Sequence, residues 1–453
     1  MPTRVLVPSG VLGLGFDPVA LARGVAFRPD IIAIDGGSTD SGPFSLGTGT
    51  SKYARAVTRS EWRQLMRARA EAGVPLVIGT AGTCGTDSTV DWMHEITVEL
   101  AAELGQRLRI ARLYSSQPPS RLAGALSAGR LHPLTPAPAL TEADLPQMTH
   151  IVALAGAEQI QAALATGADI VIAGRTTDTG IIAALPLQRG DHPGAAWHGA
   201  KIAECGALCS TNPTSGVILV DFDDTGFEVE PMAEGAACTP HSVSAHMLYE
   251  NADPFILHEP GGYLDVTGAS YQALGPRRVR VTGSVWHPAP YQVKLEGARV
   301  AGFQTSILAI LRDPRYVTHA EDWIARLQAF LAETIAHRMG LSAGSYALDF
   351  RLIGLDACLG PLENRRGSPV ELGVLGLITA ESAEVAAEIG KLINPFVLHY
   401  PLAADEELPT FAFPYSPAQS DRGAAYEFAL NHVMDMDDPM EAFRLEVSDV
   451  AAG

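Results

Sequence analysis

Three times in the first 180 residues a short, uniformly apolar run breaks directly into a loop of small and polar residues. Ile31-Ile32-Ala33-Ile34 leads into Asp35–Pro43, Val74–Gly79 into Thr80–Asp87, and Ile170-Val171-Ile172-Ala173 into Gly174–Gly180. Runs that are apolar throughout, rather than alternating, are those of strands buried on both faces, and parallel sheets require such strands. Arg4–Pro8, Leu108–Leu113, His150–Leu154 and Val217–Phe222 read as further strands of this kind. The amphipathic segments Arg59–Ala72, Thr89–Leu104, Pro119–Ala128 and Ala157–Thr166 lie between them as helices. Strand and helix in alternation predict an α/β chain whose N-terminal half is a Rossmann-like, mostly parallel sheet covered on both faces.

The texture changes near Gly216. Phe227–Pro231, Arg277–Thr282 and Pro290–Leu295 suggest antiparallel strands, and helices return at Asp322–Arg338 and Ala383–Ile393. The expected division is a Rossmann-like domain over 1–215, a smaller α+β domain over 216–400, and a C-terminal extension over 401–453 with one helix at Gly423–Val433. Leu131–Pro146, rich in proline, reads as a connector between two βαβ blocks.

Charge narrows the partners. The 453 residues carry a net charge of −19, so nucleic acid and an anionic membrane surface are not expected as partners. No signal peptide and no apolar run of membrane-spanning length is visible. Five cysteines at irregular spacing suit reduced thiols and a cytoplasmic location.

The loops hold the chemistry. Asp35–Pro43 packs three glycines, two carboxylates and three hydroxyls into nine residues. At the carboxyl end of a strand such a loop lets backbone N–H groups approach a ligand while its carboxylates move protons or hold a divalent metal. Asp35, Asp40 and Asp178 are therefore candidate catalytic groups. His94 joins them, since a histidine early on a helix is held neutral and can act as a base. Arg175 suits bidentate capture of a substrate carboxylate, or else a structural pair with Asp178. The small and hydroxyl groups of the three rims, Ser9, Gly10, Gly36, Gly37, Ser38, Ser41, Thr83, Cys84 and Thr176, are the expected substrate contacts.

The segment Trp197–Pro213 concentrates reactive residue types. As a helix it places Lys201, Cys205 and Cys209 on one face, where an ammonium lowers a thiol pKa. Glu204 is a further candidate catalytic group, and Cys205 and Asn212 further contacts. Cys84, Cys205 and Cys209 match no standard iron–sulfur spacing, and Cys-x3-Cys alone is a poor zinc signal, so no such cofactor is expected. His241 and His246 diverge on a helix starting near Thr239. The glycines after the first strand lack the G-x-G-x-x-G spacing, no Walker motif occurs, and no serine sits in G-x-S-x-G. Nucleotide cofactors and serine hydrolysis are thereby disfavoured.

Taken together, Ser9-Gly10-Val11-Leu12-Gly13, Asp35–Pro43, Gly174-Arg175-Thr176-Thr177-Asp178, Glu204-Cys205-Gly206, Thr211-Asn212-Pro213 and Thr239–Pro254 resemble the acyclic terpene utilisation (AtuA) family over nearly the whole chain. That family is named for a genetic role in degrading branched isoprenoid acids as thioesters. Some of its members resemble one half of a pair with a small companion protein. The Asp35–Pro43 loop and Glu204-Cys205-Gly206 are associated with a branch distinct from the terpene proteins.

These features predict a catabolic hydro-lyase acting on a small carboxylate or its acyl-CoA thioester, as a homo-oligomer. Arg175 would hold the carboxylate, Asp40 or His94 would remove a proton, and a neighbouring acid would protonate the leaving hydroxyl. The alternatives are a hydrolase using Cys205 or a metal-bound water, and a non-catalytic subunit needing a small partner.

Overall fold

The computed structural model describes residues 2–365 and 367–451. It divides into two compact units, one formed by residues 1–299 with 428–453 and the other by residues 300–427.

The first unit is built on a ten-stranded mixed sheet. From one edge its strands run Ser270–Leu274, Arg278–Thr282, Gly226–Pro231, Ile218–Phe222, Thr3–Val7, Ile31–Asp35, Leu76–Gly79, Ile170–Ala173, Leu108–Tyr114 and Arg444–Val450. The five strands from Thr3–Val7 to Leu108–Tyr114 are mutually parallel, and those on either side join antiparallel. The change of texture near Gly216 thus marks a change of strand direction within one sheet, which is mixed rather than mostly parallel.

Alternate residues of the central strands face opposite sides of the sheet. Val5, Val7, Ile31, Ala33 and Val77 face a core shared with the helices Ala157–Ala165, Gly180–Arg189 and Pro193–Ala203. Leu6, Ile32, Ile34, Leu76 and Ile78 face the helices Arg55–Ala72 and Asp87–Leu104, which contribute Trp62, Leu65, Met66, Val90, Met93 and Ile96. The second of these helices is N-capped at Thr86 with no side-chain bond. The next helix after Asp178 begins at Gly180, with Thr179 at its N-cap.

Three sequence expectations are corrected. The strand near His150, observed as Met148–Ala153, lies outside the main sheet and pairs antiparallel with Leu295–Arg299. Leu131–Pro146 is more than a connector, since Leu131–Pro133 pairs with His432–Met434. Gly423–Val433 is not helical but part of the strand Gln419–Asp435, and among the described residues no α-helix follows His399. Ala424, Ala425 and Ala429 favour a helix locally, yet Leu430, His432 and Met434 are buried at alternate positions, the period of a strand.

The second unit has its own core. Leu372–Ala380 is paired antiparallel on both sides, with Phe303–Leu311 and with Tyr346–Ile353. Trp323, Leu327, Leu331 and Ile335 of the helix Ala320–Met339, and Ile389 and Ile393 of Ala383–His399, are buried on this sheet's strand residues Ile307, Val374 and Ile378. Ser382 caps the second helix by accepting from Val385 N–H at 3.2 Å. Among the described residues no helix is long and apolar enough to cross a membrane.

Candidate active site

The carboxyl ends of Thr3–Val7, Ile31–Asp35 and Ile170–Ala173 open onto a two-lobed cavity within the first unit. One lobe, of 580 Å³, is lined by residues including Ser9, Gly10, Asp35, Ser38, Asp40, Tyr53, Asp178, Glu204, Cys205, Tyr249 and Glu250. The other, of 780 Å³, shares Asp40, Asp178, Glu204 and Glu250 with it and adds Thr179, Lys201, Asp253, His258 and Glu259. Together they present seven carboxyl groups and two ammonium groups, those of Lys52 and Lys201.

Backbone contacts set Asp178 in place. Arg175 C=O accepts from Ala155 N–H at 2.9 Å, and Thr177 N–H donates to Ala155 C=O at 2.8 Å, so the loop runs as an extra rung beside the sheet. Beneath it the loop Thr80–Thr86 passes so close that a Cβ on Gly85 would stand 2.1 Å from Arg175 N, and Gly85 has φ +63°. Gly85→Ala is therefore expected to cost about 2–4 kcal/mol through overpacking and a left-handed backbone. A lowered urea midpoint would register this, whereas an unchanged midpoint would show that the two loops part without cost.

Glu204 ends the buried helix Pro193–Ala203, three residues after Lys201, whose Nζ donates a buried hydrogen bond to Glu204 Oε1. Thr239 caps the short helix Pro240–Ala245, with Ser242 returning the bond, and this fixes the segment that carries Tyr249 and Glu250 to the cavity. Glu259, on the strand Ile256–Glu259, accepts a hydrogen bond from Thr179 Oγ1.

Enclosure makes these carboxyls hard to ionise. Burial, opposed by the Arg175 guanidinium and reinforced by Asp40, pushes Asp178 up to about 6. Burial outweighs the Lys201 ammonium at Glu204 and pushes it up to about 8. Glu259 rises to about 7, again chiefly by burial. Asp35, 5% exposed, is raised by burial and then by Asp178. Its Oδ2 accepts from Gly37 N–H at 3.2 Å, while Oδ1 is buried with no partner among the described residues.

Asp35, Asp40, Asp178 and Glu204 thus meet in one cavity, as do Ser9, Gly10, Ser38 and Cys205. His94 does not join them. Its ring lies on the helix face near Arg112, Asp91 and Glu95, where burial lowers its pKa, and it lines neither lobe.

Arg175 also turns away from the cavity. Its guanidinium is bidentate to Glu296 (Nε–Oε2 3.1 Å, Nη2–Oε1 3.4 Å) and bonds Thr39 Oγ1 and Thr80 Oγ1, each at 3.3 Å. Asp178 is a weaker partner at 3.9 Å. Glu296 reaches Arg175 because Leu295–Arg299 pairs with Met148–Ala153, with Glu296 opposite Val152. Neither the carboxylate fork nor the Asp178 pair foreseen for Arg175 is its main contact.

The remaining candidates support the rim from behind. Gly36 and Gly37 lie against Thr80, Ala81 and Thr83, and a Cβ on Gly37, at φ +134°, would meet Thr83 Cα at 2.7 Å. Thr83 Oγ1 accepts from Lys52 N–H, Cys84 is buried beside Leu46, Val152 and Ala298, and Thr176 is buried against Thr80. Ser41 Oγ lies 3.3 Å from Lys52 Nζ, and Asn212 Oδ1 accepts from Thr214 Oγ1, whose residue lines the mouth.

The helix ends before Cys205, so Lys201, Cys205 and Cys209 do not share a face. Burial, then Glu204 and Glu250, pushes the Cys205 thiol up, and Lys201 opposes this only weakly. The ammonium foreseen as its activator is engaged by Glu204 instead.

Sequence reasoning passed over Lys201 as a cavity group in its own right, and also Glu250, Glu259, Tyr53 and Tyr249. Glu250 stood within the Thr239–Pro254 motif, but nothing local to Glu259 marked it.

Comparison with curated proteins and with solved structures returned no match. A family model described as acyclic terpene utilisation family protein AtuA matches residues 45–412, a span that includes Asp178, Glu204, Cys205 and Glu250 but not Ser9 to Asp40. With most of its length inside that match, the chain belongs to the acyclic terpene utilisation family, AtuA.

Proposed function

We propose that this protein is a hydro-lyase acting on a small hydroxy carboxylate or its thioester. Family membership suggests a role in acyclic terpene utilisation. The reaction class rests on one observation: Asp178 and Glu204 line the same cavity with proton affinities on either side of neutrality, about 6 and about 8. Two carboxyls whose environments separate them in this way fit a base and an acid.

At neutral pH Asp178 is mainly ionised and removes a proton α to the carbonyl. Glu204 is mainly protonated and delivers its proton to the departing hydroxyl, so that water leaves and a C=C bond forms. Lys201 keeps Glu204 aimed into the cavity, and Asp40, common to both lobes, is within the same polar wall. The raised thiol of Cys205 speaks against a thiolate nucleophile.

The pH profile follows from the two affinities. kcat/KM is expected to rise as pH passes about 6, where Asp178 ionises, and to fall as pH passes about 8, where Glu204 loses its proton. A direct test incubates the protein in D₂O with 3-hydroxyacyl thioesters and free hydroxy acids and follows α-deuteration by NMR. Deuteration with loss of water supports the reading. Release of free thiol without α-exchange would replace it with hydrolysis.

A further inference from the structure

Next to the proton-transfer pair, three unlike side chains converge. One ligand atom each of Glu204, Cys205 and Glu250 lies within 4.8 Å of the other two. We propose that these residues form a binding site for a borderline divalent cation of the Zn²⁺, Fe²⁺ or Co²⁺ kind, with a coordination position left open toward the cavity. The inference goes beyond the dehydration reading and does not depend on it.

The ligand set sets the class of metal. One sulfur with two carboxylate oxygens suits a borderline ion, whereas Mg²⁺ and Ca²⁺ prefer oxygen throughout. Three protein ligands leave room for a fourth, as in sites whose open position takes water or substrate. Ligands around a tetrahedral ion stand roughly 3.6 Å apart, so small side-chain rotations close the observed spacing. Lys201 occupies Oε1 of Glu204 and leaves its Oε2 for the ion. Binding displaces the thiol proton of Cys205 and the carboxyl proton of Glu204 to solvent, so Glu204 serves as a proton donor only while the ion is absent.

A second observation, from another element, points to a missing cationic or proton-donating partner. Asp35 lines the same lobe from the end of its strand, is 5% exposed, and has a buried Oδ1 with no hydrogen-bond partner among the described residues. A buried carboxylate oxygen is costly to leave unpaired. The lining sets two ammonium groups, Lys52 and Lys201, against seven carboxyls, and Arg175 is taken up by Glu296. An anionic substrate would enter this cavity against seven carboxyls unless a cation met it there.

The test is cobalt binding to the full-length protein after dialysis against a chelator. Co²⁺ alone is expected to bind at one equivalent and to produce a thiolate-to-cobalt charge-transfer absorption in the near ultraviolet. Cys205→Ser should remove that absorption, and Glu250→Gln should keep it while weakening binding about tenfold or more. Glu250 is exposed, so its variant is expected to fold, and equal melting temperatures check this. Cys358→Ser, at an exposed cysteine of the other unit, should change nothing. No saturable binding, an absorption that survives Cys205→Ser, or full displacement by equimolar Mg²⁺ would overturn the site. Since binding is read without substrate, its failure leaves α-deuteration as an independent measure of the dehydration reading.

Discussion

Asp178→Asn is expected to reduce turnover by about 10²–10⁴-fold while leaving the protein as stable as before or more so. The amide keeps the size and shape of the carboxylate but cannot take up a proton at neutral pH. Stability moves the other way because the ionised carboxyl is an unfavourable resident: burial, Asp40 and Glu250 all raise its pKa, with Arg175 as the chief opposing influence. The sign follows from linkage. A carboxyl whose folded value exceeds its unfolded one, here 3.8, contributes stability below the unfolded value and loses it as pH rises through about 6. The wild-type melting temperature should therefore fall between about pH 4 and pH 7, and the variant should show a shallower fall. Turnover within a few-fold of wild type would remove Asp178 from the reaction.

Arg175→Leu should destabilise the first unit by about 3–5 kcal/mol, the range for breaking a buried pair from one side. Glu296, 5% exposed and held down to about 2 against its burial, chiefly by Arg175, would keep Lys294 at 2.9 Å as its one charged partner among the described residues. Thr39 and Thr80 would each lose a donor as well. Arg175→Lys should recover only part of this, because a point charge cannot fill a two-pronged contact. Urea unfolding of the three proteins measures the effect. An unchanged midpoint combined with a raised KM would return Arg175 to the role of substrate anchor.

Arg175 also shows where the sequence was legible and where it was not. Its position at a strand-to-loop edge could be read from Ile170–Ala173, because a run apolar on every residue needs cover on both faces. The same reasoning located Asp35, Asp40 and Asp178 together. The destination of its side chain could not be read, since Glu296 lies 121 residues away on another strand. His94 illustrates a related limit: periodicity places it on a helix, but which neighbours its ring meets depends on the helix's rotation against Arg112. Glu204 was recognisable from Glu-Cys-Gly, whereas Glu259 belongs to a hairpin that only tertiary packing brings to the cavity. The Ala-rich stretch before Asp435 favours a helix locally, and the alternate burial of Leu430, His432 and Met434, which makes it a strand, depends on tertiary packing.

The outermost strand of the main sheet, Arg444–Val450, has an implication for synthesis. It pairs with Leu108–Tyr114, whose other side is already taken by Ile170–Ala173. While the ribosome is still translating the intervening 300-odd codons, Leu108–Tyr114 has an open row of amide and carbonyl groups next to a nearly finished α/β layer. Such a row recruits strands from other chains. Arg109 and Arg112, which later meet Asp449 and Glu446, place positive charge on that waiting edge and repel a second nascent copy of the same edge.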